Sequence, residues 1–339
     1  TPDNASKVYG ESDKEFTYTP SGLVGEDTLS DITLSRAEGD NVGTYEITAA
    51  QKKDANPNYS VKFNKGTFTI NPKEITVTIT PNGGTYEGNI ISAAAVLNGL
   101  VGEDKPEIIL TYAGKANDGT EVNGTKTPVL AGTYTVTASI TDSNYNLKAE
   151  GTTAEFVVTK ATPGLSVAAV SDKSYGEGAF KLGVSNKGDG LKSYVSSNEK
   201  VVTVDEKGTV TIVGAGTATL TVSLAESANY TADRKAVTVT VAPKEITVTA
   251  DNQKKIAGEA DPVLTYTADG LVGEDTLSGI TVKRKAGEKV GTYTVTVSQE
   301  AGSNPNYRIT FKKGTFTIQQ ADQSKLKGKD VYRLKLPVF

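Results

Sequence analysis

Three pairs of adjacent carboxylates are the first residues in this 339-residue chain whose types and spacing could do chemistry. Glu26-Asp27, Glu103-Asp104 and Glu274-Asp275 each close the same string, GLVGED, at residues 22–27, 99–104 and 270–275. A calcium ion wants about six to eight oxygens from several directions. Two neighbouring carboxylates in one loop supply few of them, and no DxDxDG spacing occurs, so the strings read as solvated, turn-forming loops. Glycoside hydrolysis needs two carboxyls facing each other across a cleft, and acids duplicated within one loop do not offer that. No nucleophile elbow or Ser-x-x-Lys box stands out. Lys73 and Lys244 raise the chemistry of an intramolecular Lys–Asn bond, but the string KGTFTI holds no Asn to receive it. Sugars stack on aromatic faces, and two tyrosines outside the shared pattern, Tyr112 and Tyr194, are the ligand-binding candidates. The ordinary reading of each is a surface or edge tyrosine. No catalytic residue, metal site or cofactor is expected.

Composition narrows the field further. The chain has no Cys, His, Met or Trp, which removes disulfides, thiolate sites, zinc clusters and imidazole catalysis. Its net charge is −4, whereas a nucleic-acid binder needs a basic face for the phosphate backbone. No stretch approaches the roughly 18 apolar residues of a membrane span, and no signal peptide opens the chain.

The carboxylates belong to a repeat. Residues 1–70 slide onto 249–318 without a gap, and 40 of the 70 aligned pairs are identical. Further landmarks follow each GLVGED: VGTY at 42–45, AGTY at 131–134 and VGTY at 290–293. An Asn-Tyr pair comes next, at 58–59, 144–145, 229–230 and 306–307. The unit closes with KGTFTI at 65–70 and 313–318, and KEITVT opens the next at 73–78 and 244–249. Repeats of this kind must be recognised before anything else is read. The landmarks give units at 1–72, 73–160, 161–243 and 244–320, with a tail at 321–339. The third unit is divergent: it lacks GLVGED and has AGTA at 215–218. Thr1 aligns with Thr249, so the first unit lacks the opening strand that precedes Thr249, and the chain is expected to be an excerpt of a longer one.

The elements that position these residues read as strands. Ile246, Val248 and Ala250 alternate with Glu245, Thr247 and Thr249, as do Tyr293, Val295 and Val297 with Thr292, Thr294 and Thr296. Such alternation marks half-buried strands, and threonine suits their outer face because it is β-branched and tolerates water. Turn signals such as Asn82-Gly83-Gly84 and Asn123-Gly124 are frequent. The fold class is therefore all-β, as tandem β-sandwiches forming an elongated rod. Tyr45, Tyr134 and Tyr293 follow Gly-Thr and stand two residues before apolar Ile47, Val136 and Val295. That is the spacing of the corner tyrosine of immunoglobulin-like sandwiches, so these three are expected to be structural.

Units one, two and four resemble the MBG repeats of bacterial surface proteins. The resemblance is carried by Tyr9-Gly10, by Tyr86-Glu87-Gly88, and by the GLVGED, GTY, NPNY and GTFTI strings. Unit four departs from it, with Ala257-Gly258 where Tyr-Gly is expected. Unit three resembles a bacterial immunoglobulin-like domain of the BIG2 type, through SSNEKVVTVDEKGTVTIVGAGTATLTV at 196–222. The resemblance implies β-sandwich stalk modules of secreted or wall-anchored adhesins, hence an extracellular place at the bacterial surface.

The joins are short and contain Pro72, Pro163 and Pro243, which stiffen the connections. The tail alternates Tyr332, Leu334, Leu336 and Val338 with Arg333, Lys335 and Pro337. It reads as the first strand of a next domain, or as a spare strand that completes a neighbour's open sheet edge. The leading expectation is a stalk segment that holds a distal binding domain away from the cell. A glycan- or host-protein-binding module, acting through the divergent third unit, is the alternative. A fibre subunit assembling by strand exchange through the C-terminal strand is another. Neighbouring domains of the same long chain are expected partners; nucleic acid and direct membrane insertion are not.

Overall fold

The structure, a computed structural model, describes residues 1–90 and 92–321. The strand expected in the tail lies outside the described residues. Those residues are all-β, and no helix among them is long and apolar enough to cross a membrane. They divide into two compact units: Thr1–Thr162 with Ser227–Thr231, and Pro163–Glu226 with the residues from Ala232 on.

Residues 244–320 show the arrangement in full. The alternating strand Lys244–Ala250 is the middle of a three-stranded sheet, antiparallel to Tyr266–Asp269 and parallel to Tyr307–Lys312. A four-stranded sheet runs in the order Gln253–Ile256, Gly314–Gln319, Gly291–Gln299, Ile280–Arg284. Ile246, Val248, Val295, Phe316 and Ile318 are buried together, one apolar residue in every two, as the alternation requires. Residues 73–160 repeat the plan with a five-stranded sheet and the three-stranded order Tyr145–Leu147, Lys73–Thr80, Ala94–Asn98. Within 161–243 the core is built on Gly216–Leu224 and Asp233–Ala242, which pair antiparallel along their whole length.

Residues 1–72 keep only the four-stranded sheet, Ala5–Val8, Gly66–Asn71, Gly43–Gln51, Ile32–Arg36. The counterparts of Tyr266–Asp269 and Tyr307–Lys312 are residues 18–21 and 59–64, and neither forms a strand. In the fourth repeat both pair only with Lys244–Ala250; the first repeat is described from Thr1, the counterpart of Thr249, and there Pro2 still bridges Tyr18 as Ala250 pairs with Tyr266.

One element recurs in all four repeats. A short strand pairs in parallel with the closing strand: Ala5–Val8 on Gly66–Asn71, Gly84–Thr85 on Thr153–Thr159, Lys173–Ser174 on Asp233–Ala242, and Gln253–Ile256 on Gly314–Gln319. It places the turn that follows beside the point where the chain leaves the repeat. The backbone N–H of Tyr9, Tyr86, Tyr175 and Ala257 donates to the carbonyl of Asn71, Thr159, Ala242 and Gln319 respectively.

Candidate functional site

Beyond each of the first three turns the chain enters the next repeat, and there the duplicated polar residues come together. Tyr9 and Tyr145 meet edge to face with ring centroids 5.3 Å apart. Both phenols donate to Asp104 Oδ2, Tyr9 at 2.9 Å. Tyr145 Oη in turn accepts the Val101 N–H at 3.0 Å. In the second unit the same set recurs: Tyr175 and Tyr307 are 5.5 Å apart and edge to face. Their phenols donate to Asp275 Oδ2 at 2.8 and 2.5 Å, and Val272 N–H donates to Tyr307 Oη at 3.0 Å. A charged acceptor and an edge-to-face ring pair are among the stronger contacts available to tyrosine.

These contacts decode the repeated string. Its glycines at 25, 102 and 273 have φ of 59°, 54° and 53° and turn the loop. Its Asp N–H closes that turn on the Val carbonyl, and its Asp carboxylate receives the tyrosines. Its Val packs on the glycine that follows the incoming tyrosine: a Cβ on Gly10 would lie 2.4 Å from Val101 Cγ2, and one on Gly176 2.5 Å from Val272 Cγ2. The carboxylates expected to sit in solvated loops are thus half-buried hydrogen-bond acceptors at Asp104 and Asp275. Asp27, in the first repeat, is exposed and accepts from Tyr59 alone among the described tyrosines.

The Gly-Thr-Tyr step serves the same place. Tyr45, Tyr134 and Tyr293 each donate to the carbonyl four residues upstream, at Asn41, Leu130 and Lys289, over 2.7, 2.9 and 2.8 Å. The bond pins the intervening loop, whose N–H then meets the Asn of an Asn-Tyr pair. Val42 N–H donates to Asn144 Oδ1 at 2.8 Å, and Ala131 N–H to Asn229 Oδ1 at 3.0 Å. Ala215 N–H, from the AGTA step, donates to Asn306 Oδ1 at 2.8 Å. Asn229 and Tyr230 lie in Ser227–Thr231, the segment that packs within the first unit, and Tyr230 meets Tyr86 edge to face at 5.3 Å.

A charge cluster backs the corner in repeats one and four. Arg36 lies over the rings of Tyr45 and Phe68 and binds Asp13 and Asp40, with Lys7 on Asp13 at 2.7 Å. Arg284, Asp261, Glu288 and Lys255 repeat it. Hydrogen bonds from Arg284 and then Lys255 hold the Asp261 carboxyl down at about 2.

Tyr112 is not exposed as expected. It is 2% accessible, stands opposite Val136 in the sheet and meets Phe156 edge to face, so its ring is closed to a sugar. Tyr194 is half-buried against the core of residues 161–243 and against Gly208. The tyrosines that the structure brings together, Tyr9 with Tyr145 and Tyr175 with Tyr307, belong to landmarks read in the sequence as separate features.

No curated protein sequence matches significantly. Among solved structures, the chain is similar to surface layer protein SbsC, domains 1–6, at 15% identity and a TM-score of 0.23, over 83% of this chain and 45% of that one. It thus spans less than half of that structure. It is also similar to Drosophila N-cadherin EC1-3, at 8% identity and a TM-score of 0.22, over 70% of this chain and 97% of that one. A third is a SusE-like surface located polysaccharide binding protein from Bacteroides thetaiotaomicron, at 13% identity and a TM-score of 0.21, over 86% of this chain and 54% of that one. The family model of the MBG domain, YGX type, matches residues 1–69 and 246–317, and that of the intimin immunoglobulin-like domain matches 175–226. The chain therefore carries two MBG domains of the YGX type and, between them, an immunoglobulin-like domain of the intimin kind.

Proposed function

We propose that this chain is a structural stalk segment of a bacterial cell-surface adhesin, lying outside the cell and holding a distal binding domain away from it. The observation that supports this reading is where the repeated polar residues go. Asp104, Asp275, Tyr145, Tyr307, Asn144 and Asn306 are occupied in joining one repeat to the next. A binding module keeps such groups open to a ligand, and a spacer uses them to fix the angle between its parts. MBG and intimin-type domains fit a surface, adhesin-like role, and residues 73–160, which carry the same landmarks and sheet plan, act as a further copy. The chain works as a non-enzymatic module without a cofactor.

The test is binding by the full chain to a glycan array and to a panel of host extracellular proteins. The stalk reading expects silence from both. Saturable binding to one glycan or one protein, lost when the 196–222 segment is altered, would replace it with a recognition module centred on the third repeat.

A further inference from the structure

In the fourth repeat the first and last stretches of chain lie side by side and run the same way. Lys244–Ala250 pairs in parallel with Tyr307–Lys312, from Lys244 with Tyr307 to Thr249 with Lys312. Both then pass to the four-stranded sheet, through Asp251-Asn252 on one side and Lys313 on the other. There they pair again, from Gln253 with Phe316 to Ile256 with Gln319. Partners are 63 positions apart in both stretches. The gap between the stretches is also closed. A Cβ on Gly314 would lie 2.2 Å from the Ala250 carbonyl oxygen, and Asn252 Oδ1 accepts the Thr315 N–H at 2.8 Å, again 63 positions away. Six pairs, a side-chain bond and four pairs thus form one continuous parallel seam. Its ends are fastened by Lys244 N–H on the Asn306 carbonyl at 2.9 Å and Ala257 N–H on the Gln319 carbonyl at 2.8 Å.

This register decides how the repeat meets tension. The chain enters at Lys244, at one end of the seam, and leaves after Gln319, at the other. A pull along the chain therefore drives two parallel partners lengthwise past each other. Single backbone bonds are weak, but in this direction all pairs share the load and must fail together. Pulling the two strands apart from one end breaks the same pairs one after another. Ile246, Val248, Phe316 and Ile318 are at most 5% exposed and cover one face of the seam, which strengthens its bonds by excluding water.

Residues 73–160 hold a shorter and interrupted version. Three pairs join Lys73, Glu74 and Ile75 to Tyr145, Asn146 and Leu147, and two join Gly84 and Thr85 to Val158 and Thr159. The separation slips from 72 to 74 positions between them. Pro81 stands at the position of Asn252 and has no side-chain acceptor to offer the closing strand.

We propose that the seam is a load-bearing element, and that under tension the fourth repeat yields at a higher force than the second. The inference goes beyond the stalk reading and does not rest on it, because the seam lies within one repeat and a glycan-binding chain would carry it equally.

The chain has no cysteine, so a pair introduced by substitution sets where force is applied. In the full-length chain, Ala242→Cys with Gln320→Cys loads the fourth repeat through its two ends. Asn71→Cys with Thr162→Cys loads the second repeat in the same way. Ala242→Cys with Pro305→Cys pulls on the same end of both strands and peels the fourth repeat's seam open. All five positions are exposed, and circular dichroism matching the parent's checks that each chain is folded. An optical trap with handles on the thiols reads the unfolding force, a measure of the unfolding rate under load. Each event should release about 3.3–3.6 Å per residue between the handles, which identifies the repeat. The 242/320 pair should yield at about twice the force of the 71/162 pair, as ten shared pairs against five, and well above the force of the 242/305 pair. Asn252→Ala should lower the 242/320 force and leave the 71/162 force unchanged. A fourth repeat that yields at or below the force of the second, or equal forces for 242/320 and 242/305, would overturn the proposal. None of these outcomes bears on glycan or host-protein binding, so the two readings fail separately.

Discussion

Tyr145 and Tyr307 are the residues on which each tyrosine–aspartate junction closes. Burial first, and then the hydrogen bond to Asp104 or Asp275, pushes each phenol up to about 12, from an ordinary 10. The folded protein therefore keeps protons that the unfolded chain releases between those values. Linkage then makes stability fall as pH rises from about 10 to about 12, with the contribution intact below that window. Ultraviolet titration of the phenols should show Tyr145 and Tyr307 ionising late, with Tyr9, Tyr59, Tyr134 and Tyr175 also displaced upward, and an Asp104→Asn, Asp275→Asn chain should lower Tyr145 and Tyr307 part of the way, the share due to burial remaining. If all tyrosines titrate together near 10, the buried junction is wrong. The sequence displayed these residues but not their pairing. Tyr9 and Asp104 are 95 positions apart and belong to different repeats, so any reading made one repeat at a time leaves both without a partner. Tyr112 was misjudged for a related reason. It shares the inward parity of Leu110, legible within Ile108–Ala116, but its lack of a counterpart in the other repeats made it look like a surface addition.

At the scale of the element, the turn after the short parallel strand decides whether one repeat can seat on the next. Gly10, Gly176 and Gly258 have φ of 85°, 89° and 91°, and Glu87 takes the same place in the second repeat with φ 57°. The difference follows from what faces the turn. Gly10 and Gly176 meet the Val of a GLVGED string, whereas the third repeat, which receives Tyr86, has no such string. A paired substitution separates the two demands on glycine. Gly258→Ala meets nothing within 4 Å and should cost only backbone strain, about 1–3 kcal/mol in urea unfolding. Gly10→Ala carries the same strain and adds a collision with Val101, so it should cost more, and Val101→Ala should restore the difference. Equal costs at the two positions would mean that the glycine serves the turn alone. The strands themselves were legible, because alternation such as Ile246, Val248, Ala250 is a local signal. The parallel pairing of Ala5–Val8 with Gly66–Asn71 was not, since it joins segments about sixty residues apart through a strand of four residues.

For the whole molecule, the tyrosine–aspartate contacts act inside each compact unit: Tyr9 reaches Asp104 in the first and Tyr175 reaches Asp275 in the second, each joining one repeat to the next. The sequence made the array legible through its repetition, and it misplaced the purpose of its most repeated string, which joins repeats where it had been read as a turn of the single fold. The proposed stalk role requires the four repeats to line up as a stiff array, and such an array would have a defined length. Each repeat spans roughly 35–40 Å from its strand length and loops, so the array should reach roughly 140–160 Å. Small-angle X-ray scattering from the full chain in dilute solution measures that length directly. The account predicts an extended monomer with a maximum dimension in that range. A compact particle, with a maximum dimension near that of a single globule of the same mass, would contradict it.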